Sequence, residues 1–445
     1  MIDAAHEKEP YLSHFAQRER EVKGTRQPWI EAIRQEAIAR FAEGGFPTLR
    51  EEEWRFTSVA PIAKTLFRPA HRRSLRAEAL RPFTFEPWKC HQLVCINGYF
   101  SPELSSLGSL PRGVWVRGLG EVLRSDPGRL EAHLARYASF KKNPFTALNT
   151  AFIEDGAFVL IPKGAVVEEP IHLLFISTGE EDPWVSHPRS LIVAEASSQV
   201  RIVESYVGLK GEVYFTNAVT EIVAGENTVI DYYAVQREST EAFHIRTLQV
   251  SQRRSSNLTA HSLSLGGALV RNDVTVVLDG EGCECVLNGF YMVRGTQHVD
   301  NHTMIEHLRP HGTSRELYKG ILDEQSSGVF NGKIVVWPGA QKTDAKQTNQ
   351  NLLLSESALV NTNPQLEIYA DDVKCTHGAT VGQLDAEALF YLRTRGIDLE
   401  TSRNLLTYAF ASDITRQIKI EPIRAQLERL LLRRWPQPQE IGERL

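Results

Sequence analysis

The sequence predicts a mainly β protein, a right-handed parallel β-helix flanked by α-helical N- and C-terminal segments. Three observations predict it. From about Ala157, roughly 220 residues form strand-like runs rich in Val, Ile, Leu, Thr and Tyr, broken by Gly, Asp, Glu and Ser. An apolar-x-Asn step returns at Asn217, Asn272, Asn301 and Asn331, and a second series runs through Val200, Val229, Leu258 and Val286. Both series give a period of about 29 residues, with one slot of the first skipped near Arg246. Finally, the runs alternate with a period of two. In LVRNDVTVVL, residues Val270, Asn272, Val274, Val276 and Leu278 share one face, and Arg271, Asp273 and Thr275 share the other. A long period holding two strands and two turns is the mark of a solenoid, whose coils bury one another's apolar faces. A β-sandwich needs turns about every 8–12 residues and has no such period. Right-handed coiling follows from strand twist.

The chain divides into residues 1–150, mixed and largely helical, residues 151–384, the β-helix, and residues 385–445, helical again. In the first part, Trp29, Ile30, Ile33, Ala37, Ile38 and Phe41 recur at helical spacing and stop at Gly44-Gly45. The basic stretch RPAHRRSLRAEALRP reads as a solvated face. HQLVCINGYFSPELS reads as two strands joined at Asn97-Gly98, and GRLEAHLARYASF as a helix. In the last part, Asp385 is placed to cap a helix that closes at Gly396. Two further helices follow, the second with Pro422 in its first turn. Its stripe of Leu427, Leu430, Leu431 and Trp435 serves either to pack onto the end of the solenoid or to meet a partner.

Net charge of −5 argues against nucleic acid as the main partner. No apolar run reaches the roughly 20 residues needed to span a bilayer, and the N-terminus has no secretory pattern. Five cysteines suggest a reduced compartment, so the expectation is a cytoplasmic protein without membrane contact. Phosphate-binding P-loops, nucleophile elbows and zinc-protease motifs are absent from the sequence. His298, His302, His307 and His311 read as surface or turn histidines, because positions four apart on a strand are about 13 Å distant. Cys283 and Cys285 read as core residues. In YADDVKCTHGATVGQLD the apolar parity flips across Asp371-Asp372, which marks a turn between coils. Beyond it, Cys375 and His377 share one strand face about 7 Å apart. Such a pair is either half a ligand set for iron or zinc or a buried structural feature.

The segment GVFNGKIVVWPGAQKTDAKQTNQNLLLSESALVNTNPQLEIYADDVKCTHGATVGQLDAEALFYLRTRGI resembles the SufB/SufD family of iron–sulfur cluster assembly proteins, and most of all its SufD type. The likeness extends through VDNHTMIEHLRPHGTSRELYKGIL, NPFTALNTAFIEDGAFVLIPKGAVVEEPIHLLF and FPTLREEEWRFTSV, nearly the whole chain. It implies a β-helix between helical ends, and a non-catalytic subunit that pairs with SufB through the β-helix and with the ATPase SufC through the C-terminal helices. It further implies iron and a transient iron–sulfur cluster shared with SufB, ATP only through SufC, and a homodimer as the alternative in isolation. His377 would then be a ligand or shuttle residue at the SufB interface, with Cys375 an assisting thiol. Where SufB proteins carry a sulfur-accepting cysteine, this chain has Gln350, which speaks against a homodimeric SufB-like scaffold. Gly312 departs from the cysteine expected in many members. A carbohydrate-active β-helix enzyme is the remaining alternative, with Asp371-Asp372 its only tempting carboxylate pair.

Overall fold

Two parallel sheets wind through the middle of the chain in the computed structural model, which describes residues 4–21, 27–81, 83–84, 88–179, 182–208 and 211–433. From Gly156 onward, successive main strands alternate between the sheets, and each pairs with the strand one coil before and one coil after it. This is the β-solenoid expected, with about seven turns. Its second sheet carries an unbroken column of paired positions: Val200, Ile230, Leu258, Cys285, Ser314, Ala345 and Cys375. The steps are 30, 28, 27, 29, 31 and 30 residues. A constant 29 therefore slips. Val200 and Leu258 of the expected series are in register, whereas Val229 and Val286 lie one residue off and so on the opposite face.

The asparagine series is corrected the same way. Asn272 pairs with Asn301, and its side-chain amide donates to the Asn301 oxygen at 3.1 Å. Arg246 fills the skipped slot and donates to Asn272 at 3.2 Å. Asn217 and Asn331 are each one residue out of the column, which is occupied by Ala218 and Phe330 instead. The interior is thus apolar with a polar thread. Arg246 also donates to Tyr232 and Ser262, and Glu204 accepts from Tyr232 and from Thr220 at 2.9 Å. The network matters because an unpaired buried guanidinium would cost several kcal/mol, by order of magnitude.

The two ends of the solenoid differ. At the start, His91–Ile96 adds to the second sheet in parallel, and Trp115–Gly118 adds to the first in antiparallel fashion. The expected hairpin is there, with Asn97 and Gly98 both at positive φ. Helix Pro28–Gly44 is also as expected and ends at Gly45, φ 68°. The expected helix at GRLEAHLARYASF is a single turn, Gly128–Glu131. The Glu221 carboxylate takes the backbone amides of Ala135, Tyr137 and Ala138 at 2.8–2.9 Å, so they cannot continue a helical ladder.

At the C-terminal side, helix Ala386–Thr394 is capped by Asp385, as the sequence indicates. Helices Leu399–Thr415 and Glu421–Arg433 lie on the flank of the solenoid rather than on its end. Ala411, Ile414, Ile423, Leu427 and Leu431 pack with Tyr233, Leu263, Phe290 and Ile321 of the second sheet. Trp435 of the apolar stripe lies outside the described residues. Among the described residues, no helix is long and apolar enough to cross a membrane.

Candidate functional site at the open end of the solenoid

The last coil consists of Leu359–Ile368 in the first sheet and Lys374–Gly382 in the second, joined across the Asp371-Asp372 bend. Each strand pairs on one side only. Leu359, Ile368, Tyr369 and Val381 are exposed there. A sheet edge with unpaired backbone groups and exposed apolar side chains invites another chain, and it is guarded only in places, by Pro364 in the first strand and Lys374 at the start of the second.

Cys375 and His377 sit on this terminal strand, brought to one face by alternation. Cys375 is half-buried and packs against the interior core, so the thiol caps that core at the open edge. Burial raises its thiol pKa, the Ala345 backbone amide opposes this, and Asp344 adds to it. At neutral pH the thiol therefore stays protonated until a metal cation displaces the proton to solvent or to a base. His377 is exposed. Beneath it in register lie Gln347 and then Glu316, two buried residues that the sequence did not single out. Gln347 donates to the Glu316 carboxylate at 2.8 Å. Burial pushes the Glu316 carboxyl up to about 7, against hydrogen bonds from Thr303 and Gln347. Their signal is visible only by stepping back one true coil from His377, 30 and then 31 residues.

Among the described residues no three His, Cys, Asp or Glu side chains converge to hold a metal ion. Cys375 and His377 supply a soft thiol and an imidazole, which suit iron, but a closed site needs about four donors. Gln350, three residues beyond Gln347, points to the opposite face of its strand and is not part of this group.

The four histidines are not the surface group expected. His307 is buried inside the solenoid and bonds Ser314 at 2.9 Å, and burial pulls its pKa down to about 4. A Cβ on Gly312 would come within 2.7 Å of His307 Nδ1, so the departure at Gly312 makes room for this ring. His298 bonds Thr57 and Ser327. His302 contacts Asp300 at 3.0 Å and Glu53 at 3.1 Å. Burial opposes its charge, but the Asp300 carboxylate and the hydrogen bonds that the ring donates to Asp300 and Glu53 win and raise it to about 9. Only His311 sits in a turn, at φ 60°. The rings of His298, His302 and His307 take different partners, and Glu53, 249 positions away, closes over His302. Cys283 and Cys285 are core residues, as expected.

Residues 5–173 match the SufBD protein N-terminal region, and residues 175–410 match the SUF system FeS cluster assembly, SufBD core domain. This chain belongs to the SufBD family of iron–sulfur cluster assembly proteins. It is similar to the SufBD family protein slr0076 of Synechocystis, 35% identical over 414 residues and 91% of each chain. It is 32% identical to the chloroplastic protein ABCI7 of Arabidopsis thaliana over 404 residues, 89% of this chain and 84% of the relative. It is 28% identical to SufD of Escherichia coli over 396 residues, 88% of this chain and 90% of the relative. The SufBD assignment and the solenoid with helical ends, both implied by the family likeness, therefore hold together. The matches leave the ligating residues to be argued from the strand edge alone.

Proposed function

We propose that this SufBD protein works as a SufD: a non-catalytic, cytoplasmic scaffold subunit that pairs with a SufB through the open end of its solenoid. One observation carries this reading. One end of the solenoid is closed by its own N-terminal strands, while the other ends in two strands each with one open edge, the second of which carries Cys375 and His377. A partner solenoid placed there would cover the exposed Leu359, Ile368 and Val381 and would bring the missing donors. Iron and the growing cluster are cargo at that seam, held by His377 with Cys375 assisting. The half-buried, protonated thiol is the weaker donor until metal arrives. ATP would enter only through a SufC docked on the C-terminal helices. What supports that surface is helix Ala386–Thr394, which buries none of its residues and exposes Phe390 and Tyr391.

The test is anaerobic co-expression with candidate SufB and SufC chains, reading iron and sulfide per complex. His377→Ala is expected to leave assembly intact and to lower both sharply, with Cys375→Ala lowering them less. His302→Ala is not an inert control, since it breaks a buried ion pair; His311→Asn, in an exposed turn, is. Full cluster content in His377→Ala would remove the histidine from the assignment, whatever the partners do.

A further inference from the structure

A cavity of about 730 Å³ opens where the N-terminal helices meet the first coil. Six separate segments build it: helix Ala4–Glu21, the start of helix Pro28–Gly44, the segment after helix Ala60–Lys64, the turn at Tyr99, helix Leu119–Ser125, and the chain at Ile153-Glu154. That volume lies within the range of small-molecule sites, roughly 300–1,000 Å³. Three of its basic residues, Arg68, His71 and Arg72, come from the basic stretch that the sequence suggests is a solvated face.

The charges in the wall are unbalanced. Arg18 is neutralised by Glu154 and also donates to the Tyr99 hydroxyl at 2.7 Å. Arg68 meets Asp182 at 3.0 Å. Arg72 stacks on the Tyr99 ring, 4.7 Å from its centroid, and reaches Asp155 at 3.3 Å. Asp155 also accepts the backbone amides of Phe100, Gly120 and Gly156 at 2.9–3.1 Å, and Arg72 meets it through a single terminal nitrogen, so most of the guanidinium's five N–H donors do not face that carboxylate. Arg124 lines the cavity and has no acidic partner among the described residues. His14 and His71 lie in the same wall. Beside these basic groups three apolar side chains line the cavity, Ile30, Leu123 and Ile153, the first and last of them buried. An unpaired guanidinium over an apolar floor, with two imidazoles alongside, is the complement of an anionic head on an apolar body.

We propose that this cavity binds a small organic anion, its phosphate or carboxylate head held by Arg124 and Arg72 and its body against Ile30, Leu123 and Ile153. The site lies at the closed end of the solenoid, on different residues from Cys375 and His377, so its fate is independent of the cluster reading.

Isothermal titration calorimetry on the full chain tests it with three probes: phenyl phosphate, benzoate and inorganic phosphate. Either phenyl phosphate or benzoate is expected to bind at one site per chain, and whichever binds tighter identifies the head group. Inorganic phosphate is expected to bind at least tenfold more weakly, since it leaves the apolar floor bare. Arg124→Gln should lose at least tenfold in affinity with an unchanged melting temperature, because the side chain is exposed and unpaired; Arg124→Lys should recover part of the loss. Arg309→Gln, on a distant coil, should bind as the parent does. The proposal fails if neither aromatic probe binds, if inorganic phosphate matches them, or if Arg124→Gln binds as the parent does.

Discussion

Replacing His302 with Gln should remove a pH-dependent clamp between the N-terminal part of the chain and the solenoid. In the native protein His302 lies between Asp300 and Glu53, and Arg271 bonds Asp300 at 2.7 Å while its guanidinium sits 3.7 Å from the Trp54 ring centroid. A base whose pKa is raised from 6.5 to about 9 on folding contributes its stability in full below about pH 6.5 and loses it as pH climbs through 9. At about 1.36 kcal/mol per pKa unit the ceiling is about 3 kcal/mol. Glu53 is 61% exposed, so its share is screened and about 2 kcal/mol remains. Asp300 keeps Arg271 and Thr57 in the variant, so the fold should survive. Urea denaturation of both proteins at pH 6.5 and 9.5 reads the effect, because other titrating groups cancel in the comparison. The parent should lose about 2 kcal/mol more than His302→Gln over that window. Equal losses would refute the clamp.

The solenoid predicts that deleting residues 285–313, one true coil from Cys285 to just before Ser314, leaves a β-dominated circular dichroism spectrum, while deleting about half as many does not. Equal damage would count against it. Cutting the chain after Gly382 would strip Ala411, Ile414, Ile423, Leu427 and Leu431 from the second sheet, so the SufC surface is better tested by Phe390→Ala with Tyr391→Ala. That pair should abolish co-purification with SufC at an unchanged melting temperature; normal recovery would move the docking surface elsewhere. Acid should destabilise the protein steeply. Burial holds His172 and His187 down to about 3 and His261 and His307 down to about 4, so all four are neutral in the fold. Unfolded, they take up protons near 6.5, so stability is complete above that and falls as pH drops toward 4. A urea midpoint that stays flat from pH 7 to 5 would contradict this.

The repeat, the alternation and the helix ends were legible in the sequence because each is set by local spacing. Val274, Val276 and Leu278 alternate whatever lies beside them, and Asp385 caps its helix from two and three residues away. The pairing of Cys375 with His377 is local in the same sense. Exact register is not. It accumulates the lengths of all the turns between coils, so Phe330, and not Asn331, stacks over Asn301. Sequence position alone also could not show that the Glu221 carboxylate, more than 80 residues downstream, would end the helix after Glu131, or that Glu53 would close over His302. Nor could it show that Gln347 and Glu316 lie under His377, or that Arg124 meets the basic stretch across a cavity. Charges and hydrogen-bond donors reach only a few ångströms, and it is the folded chain that decides which distant residues come within that reach.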